Sequence, residues 1–334
     1  MKFSKIIIWG AKLDTGHTHA FVQLAIYRAA QSLNLEVYWL DNRDNVDFSF
    51  FDNALVITEQ WLVFPNGLSR TSYNLPLNPT ATYIVHYLGN KGPVEGNPGA
   101  NMYLGKVKRL IDFRFATNWG IDGVEDKNYA YKFESSNYER LSEASYFEKK
   151  SDYDIFYSIW ATDLLPDEIN FEDRNIPYTE PKFVFFGGTI RPDNQEMFEP
   201  FLKACNENNI PFAYNDPGRN PLSIGQLKQA TNEAYLAYDA RPKNHLANGY
   251  ISCRILKNIS YGQMGITNSK AIYDFFNQQI AYHEDPYELF YVAKQMKEDY
   301  NTKNIVLEQM KRIKEHHTYV NRLNDMITAA EMSQ

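Results

Sequence analysis

A buried strand that runs into a glycine turn and then a helix occurs twice in this chain, and that recurrence constrains the fold more than any other feature. Lys5 to Trp9 (KIIIW) is a short apolar run closed by Gly10, and Lys182 to Gly188 (KFVFFGG) opens the second half in the same way. Such runs are expected of strands covered on both faces of a parallel sheet. Behind the first turn, Val22, Ala25, Ile26, Ala29, Ala30 and Leu33 fall on one helical stripe, and Glu36 to Leu40 reads as the next strand. That is a βαβ unit, whose crossover is right-handed in nearly all known cases. Leu55 to Ile57 and Thr82 to Tyr87 continue the series, before a long glycine- and proline-rich loop, GNKGPVEGNPGAN.

The second half repeats the alternation. Helices are expected over Gln195 to Asn206, Leu222 to Glu233 and Tyr250 to Tyr261, the last stopped by Gly262. Strands are expected in IPFAYND, over Ala234 to Tyr238, and through Gly265 and Ile266. From about Asn304 one polar helix sets Leu307, Met310, Ile313, Val320, Leu323 and Ile327 on a single face. The fold class is therefore α/β, with two Rossmann-like domains. The expected bounds are 1–165, a linker rich in Pro, Asp and Glu over 166–180, a second domain over 181–302, and a terminal helix over 303–334. A chain of 334 residues exceeds what one core usually organises, which agrees with this division.

Composition narrows the function classes. A net charge of −7, with no long Lys/Arg block, argues against nucleic acid as a partner. Cys205 and Cys253 are too few for a disulfide framework or a zinc site. The apolar run Ile6 to Trp9 is far shorter than a signal-peptide core or a membrane span, so a cytoplasmic chain without a transmembrane segment is expected. Contact with a membrane surface is left open. Aromatic residues make up 15% of the chain; most fill cores, but aromatic faces also grip sugars.

A dinucleotide-binding turn would carry GxGxxG after the first strand; here Gly10 and Gly16 are six apart, which disfavours a redox cofactor, and Asp41 reads as a turn residue. The first turn instead holds His17 and His19 at the start of a helix. Ligands bind outside the carboxyl ends of strands in open parallel sheets, and a neutral imidazole there can take a proton from an attacking hydroxyl. Two residues apart on a helix is about 200°, so only one of the pair can face a given hydroxyl. His17, ahead of the helix proper, is the first choice for the base and His19 the second.

The second glycine turn offers Gly188, Thr189 and Arg191 at a helix start, a combination that suits a phosphate. Downstream, RPKNHLANGYISCRILKNISYGQMGITNS brings Arg241, Lys243, His245, Tyr250, Arg254, Lys257, Asn268 and Ser269 into one segment. Arg254 and Lys257, one turn apart, are candidates to clamp a diphosphate, and Tyr250 or Tyr261 to stack on a base or sugar. No metal-ligand spacing is present: the Asp152-Tyr153-Asp154 triplet precedes its hydrophobic strand, IFYSIWA, instead of following one. No metal is therefore expected.

Taken together these segments resemble GT-B glycosyltransferases. VFFGGTIRPDN is similar to the entry into that family's donor domain, and GYISCRILKNISYGQMGITNS to the donor-site helix of spore-maturation-type transferases. GHTHAFVQLAIYRAAQSLNLEVYWLD resembles the opening of the acceptor domain, and WATDLLP the hinge strand. The pattern of two glutamates separated by seven residues, common in retaining members, is absent here; Arg254 and Tyr261 stand in that helix. The resemblance implies no cofactor beyond a UDP-, GDP- or CMP-sugar donor and a glycan or glycoconjugate acceptor. It also implies a final helix crossing back to the first domain. Two other readings stay open. One is an epimerase or hydrolase of the same fold, for which the carboxylates Asp14, Glu59 and Asp216 are not grouped by sequence. The other is a two-lobed binding protein without catalysis.

Overall fold

A computed structural model describes residues 2–15, 19–59, 74–86, 88, 98–116, 138–173, 182–188, 192–215, 222–299 and 301–334. The first half is built on an eight-stranded sheet. In chain order its strands are β1 (Lys5–Trp9), β2 (Val37–Leu40), β3 (Ala54–Glu59), β4 (Thr82–His86), β5 (Arg109–Phe115), β6 (Glu139–Arg140), β7 (Tyr146–Glu148) and β8 (Asp154–Ser158), arranged β2-β1-β3-β4-β5-β8-β7-β6. All pairs from β2 to β8 are parallel, and β7 and β6 add an antiparallel edge. Strand β1 explains its own apolar run. Ile6 and Ile8 enter one core with Ala25, Ile26 and Ala29 of the His19–Ser32 helix, while Ile7 and Trp9 enter another on the opposite face. Gly10 lets the Gln23 side chain of that helix pack on the turn, since a Cβ there would lie 2.1 Å from it.

The second half repeats the plan on a smaller sheet. Strands β9 (Val184–Phe186), β10 (Phe212–Tyr214) and β11 (Leu236–Ala237) are parallel in the order β10-β9-β11. A bridge between Asp239 and Thr267 carries the sheet to the parallel pair β12 (Ile266–Thr267) and β13 (Ala281–Tyr282). Each sheet therefore reverses its strand order beside its first strand, at β1/β3 and at β9/β11. Such reversals open a crevice at the carboxyl edge of the sheet.

The single helix expected from Asn304 is two. Thr302–His316 packs on the second half, against the Cys253–Ser260 and Pro286–Glu298 helices. Thr318 then starts a new helix, Tyr319–Met332, with a capping box to Asn321. This second helix crosses back to the first half, where Leu323, Met326, Ala329 and Ala330 bury against Ile26, Ala29 and Ala30. Truncating Leu323, fully buried at that seam, removes contacts worth about 2–5 kcal/mol. The helix expected over Tyr250 to Tyr261 is also shorter. Gly249 takes φ +61° as the C-cap of a short helix, Lys243–Asn248, and the next helix begins only at Cys253. Among the described residues, no helix is long and apolar enough to cross a membrane.

Candidate active site

At the β1/β3 reversal, the turn after β1 delivers His19 as the first residue of its helix, and β3 delivers Glu59 as its last. His19 Nδ1 lies 2.7 Å from Glu59 Oε2, and the carboxylate is nearly buried. The contact is an ion pair by distance; a carboxylate so close to Nδ1 favours a proton on that nitrogen and leaves Nε2 to accept one. Around the pair, Trp160 meets His19 edge-on with centroids 5.9 Å apart, and His86 packs on Trp160 at 5.0 Å. His86 Nδ1 sits 3.0 Å from the Phe113 carbonyl, and burial lowers its pKa to about 4. It is neutral near pH 7. Glu59 was one of three carboxylates that the sequence left ungrouped; the topology places it beside His19.

At the β9/β11 reversal, the residues after β11 supply Asp239 and Arg241, and the Cys253–Ser260 helix supplies Arg254. Asp239 is fully buried; its Oδ1 accepts from Arg241 at 2.6 Å and from Arg254 at 3.4 Å, and Ser252 donates to it at 3.2 Å. One carboxylate between two guanidinium groups leaves a net positive charge. The Nε of Arg241 is buried and has no hydrogen-bond partner among the described residues. Arg254 lies with its Cζ 4.0 Å from the centre of the Phe186 ring, and its Nε reaches the Gly187 carbonyl at 3.4 Å. A Cβ on Gly188 would sit 2.3 Å from the Arg254 guanidinium, so glycine is what lets the arginine lie against the turn. Burial, with Arg241 nearby, lowers Arg254 to about 10, so it remains a cation at neutral pH. A positive, partly desolvated cluster of guanidinium groups at a glycine turn is suited to a diphosphate.

Comparison of the sequence with protein-family models and with curated proteins finds no match. Solved structures do match. An alpha-glucosyltransferase in complex with UDP and a 13-mer DNA containing an HMU base aligns over 98% of this chain and 100% of its own, with a TM-score of 0.51 at 10% identity. The chain has the GT-B fold. A more distant likeness is an alpha1,3-fucosyltransferase with GDP, at a TM-score of 0.42 and 12% identity, covering 98% of this chain and 90% of that one.

Within the GT-B frame the remaining sequence candidates separate. His245 packs on Tyr250 with centroids 4.7 Å apart, and burial and the two arginines lower it to about 3. Lys257 and Tyr261, expected at the ligand, turn to Asp163 in the segment after β8. Lys257 Nζ is 2.8 Å and the Tyr261 hydroxyl 2.6 Å from its carboxylate. Lys243 is exposed and pairs with Glu196 at 2.7 Å. Asn268 accepts from the Arg241 amide and donates to its carbonyl, bracing the loop that carries Arg241. Ser269 caps the Lys270–Phe275 helix. Asp14 pairs with Arg43, which also holds the buried Asp41. Asp152 and Asp154 lie at the amino end of β8, the opposite edge from the crevice, and Asp154 accepts from Ser333 at 2.5 Å. His17, Thr189, Arg191 and Asp216 lie outside the described residues.

Proposed function

We propose that the chain is a glycosyltransferase that moves a sugar from a nucleotide-sugar to a hydroxyl of a glycan or glycoconjugate. The observation that carries this reading is the pairing of chemistry with topology. A histidine–carboxylate dyad stands at one sheet reversal and an arginine pair at the other, in a GT-B fold. In this reading His19 Nε2 takes the proton of the acceptor hydroxyl while Glu59 steadies the imidazolium that forms. The acceptor oxygen forms its bond to the sugar carbon as the bond to the diphosphate breaks, and the electron pair leaves with the diphosphate. Arg241 and Arg254 offset the charge that builds there.

The first half would hold the acceptor and the second half the donor, with residues near 166–180 between them. The aligned glucosyltransferase was solved with DNA, so the fold does not by itself separate nucleic-acid from glycan acceptors. The net charge of −7 is what favours a glycan. Because two guanidinium groups supply the positive charge, transfer is expected without a divalent ion, and a cytoplasmic location fits a soluble donor. The test is to incubate UDP-, GDP- and CMP-sugars with glycan acceptors in EDTA and identify the products. A glycosylated acceptor is expected. Free sugar or an epimerised nucleotide-sugar at equal rate with and without acceptor would contradict transfer. Abolition by EDTA, reversed by manganese, would contradict metal independence.

A further inference from the structure

Among the described residues, Trp160 carries one of the contacts that join the two halves of the site. Trp160, just past β8 and 5% exposed, belongs to the aromatic wall around His19 and His86. Its indole Nε1 donates to the Tyr250 hydroxyl at 2.8 Å, although the two residues are 90 positions apart. The Tyr250 ring packs edge-on to Phe115 at 5.0 Å on the same side. Toward the second half it packs on His245, whose Nδ1 lies 3.5 Å from Arg241 Nη1, and Arg241 is in turn fixed by Asp239. A continuous line of contacts therefore runs from His19 through Trp160, Tyr250 and His245 to the arginine pair. The local backbone accounts for how Tyr250 reaches this place. The left-handed Gly249 reverses the chain, and the Tyr250 amide donates back to the His245 carbonyl at 3.0 Å.

Given the glycosyl-transfer reading, on which this assignment rests, we propose that Tyr250 is a positioning residue that sets the separation of the His19 base and the arginine pair. It acts through Trp160 and His245 instead of stacking on the donor base. A reacting hydroxyl and its base must be held within a fraction of an ångström of productive geometry, so loosening one such strut should slow the chemical step more than it weakens binding. Removing the Tyr250 hydroxyl keeps the ring against Phe115 and His245 and breaks the link to Trp160.

The experiment is a double-mutant cycle on the full chain. It compares wild type, Tyr250→Phe, Trp160→Phe and the double variant in steady-state transfer from whichever UDP-, GDP- or CMP-sugar the wild type uses. Each single variant should lower kcat about tenfold, the share of one hydrogen bond, while donor KM stays within about twofold. The double variant should be no slower than either single one, because both remove the same link. Unchanged kcat in Tyr250→Phe, a rise in donor KM alone, or simple additivity would overturn the assignment while leaving glycosyl transfer intact. Failure of the wild type to use any nucleotide-sugar would overturn both. Should Tyr250→Phe fold poorly, Trp160→Phe reads the same link from the other side.

Discussion

His19 and Glu59 meet at 2.7 Å because β1 and β3 are neighbours, and this contact changes which histidine is favoured as the base. Position relative to the helix favoured His17 in the sequence. A bound carboxylate favours His19, since orientation and stabilisation of the imidazolium are what separate a catalytic imidazole from a surface one. His19→Ala is therefore expected to lower kcat by about 10²–10⁴-fold and to leave nucleotide affinity nearly unchanged, a split that steady-state kinetics and calorimetry resolve together. Should His17→Ala be the slow variant and His19→Ala retain wild-type kcat, the dyad is structural and the base lies in the turn ahead of the helix. The sequence signal for a histidine base was present but incomplete. Two imidazoles in one turn are visible in sequence, whereas a glutamate at the end of a strand one βαβ unit later gains meaning only from strand order.

The Cys253–Ser260 helix carries two cations with different partners, and spacing alone could not separate them. Arg254 and Lys257 are one turn apart, which suggested a common ligand. In the fold Arg254 faces the glycine turn after β9, and Lys257 faces Asp163. Lys257 and Asp163 are 15% and 2% exposed, so breaking the pair leaves a buried carboxylate supported, among the described residues, by the Tyr261 hydroxyl. Lys257→Ala is expected to destabilise the fold by about 3–5 kcal/mol, read by denaturant unfolding, without loss of nucleotide affinity once folded. A stable variant that binds nucleotide poorly would return Lys257 to the diphosphate. Elements were otherwise legible wherever burial dictates pattern. Strands β1 to β4 and β9 to β11 match runs read from the sequence, β5, β6 and β7 were not expected, and the stripe beginning at Val22 matches the first helix. Breaks that depend on one backbone conformation were not legible. The left-handed Gly249 ends a short helix absent from the sequence reading, the next helix starting only at Cys253, and the Thr318 cap divides a segment that hydrophobic spacing alone read as continuous.

At the scale of the whole molecule, two sheets of the same design each reverse beside their first strand, and each reversal gathers part of the candidate site. The sequence disclosed the repetition through KIIIWG and KFVFFGG, because a strand covered on both faces leaves an unbroken apolar run. It could not disclose the links between halves, such as Trp160 to Tyr250 or Asp163 to Lys257, which join residues that only the assembled fold makes neighbours. The central claim is that the second reversal holds the diphosphate of a nucleotide through Arg241 and Arg254. Isothermal titration of UDP, GDP and CMP into wild type and Arg254→Ala tests it most directly. One nucleotide is expected to bind the wild type, with Arg254→Ala weakening it by about 1.5–3 kcal/mol through loss of a charge-assisted contact. Equal affinity in the folded Arg254→Ala variant, or no binding of any of the three by the wild type, would contradict the account.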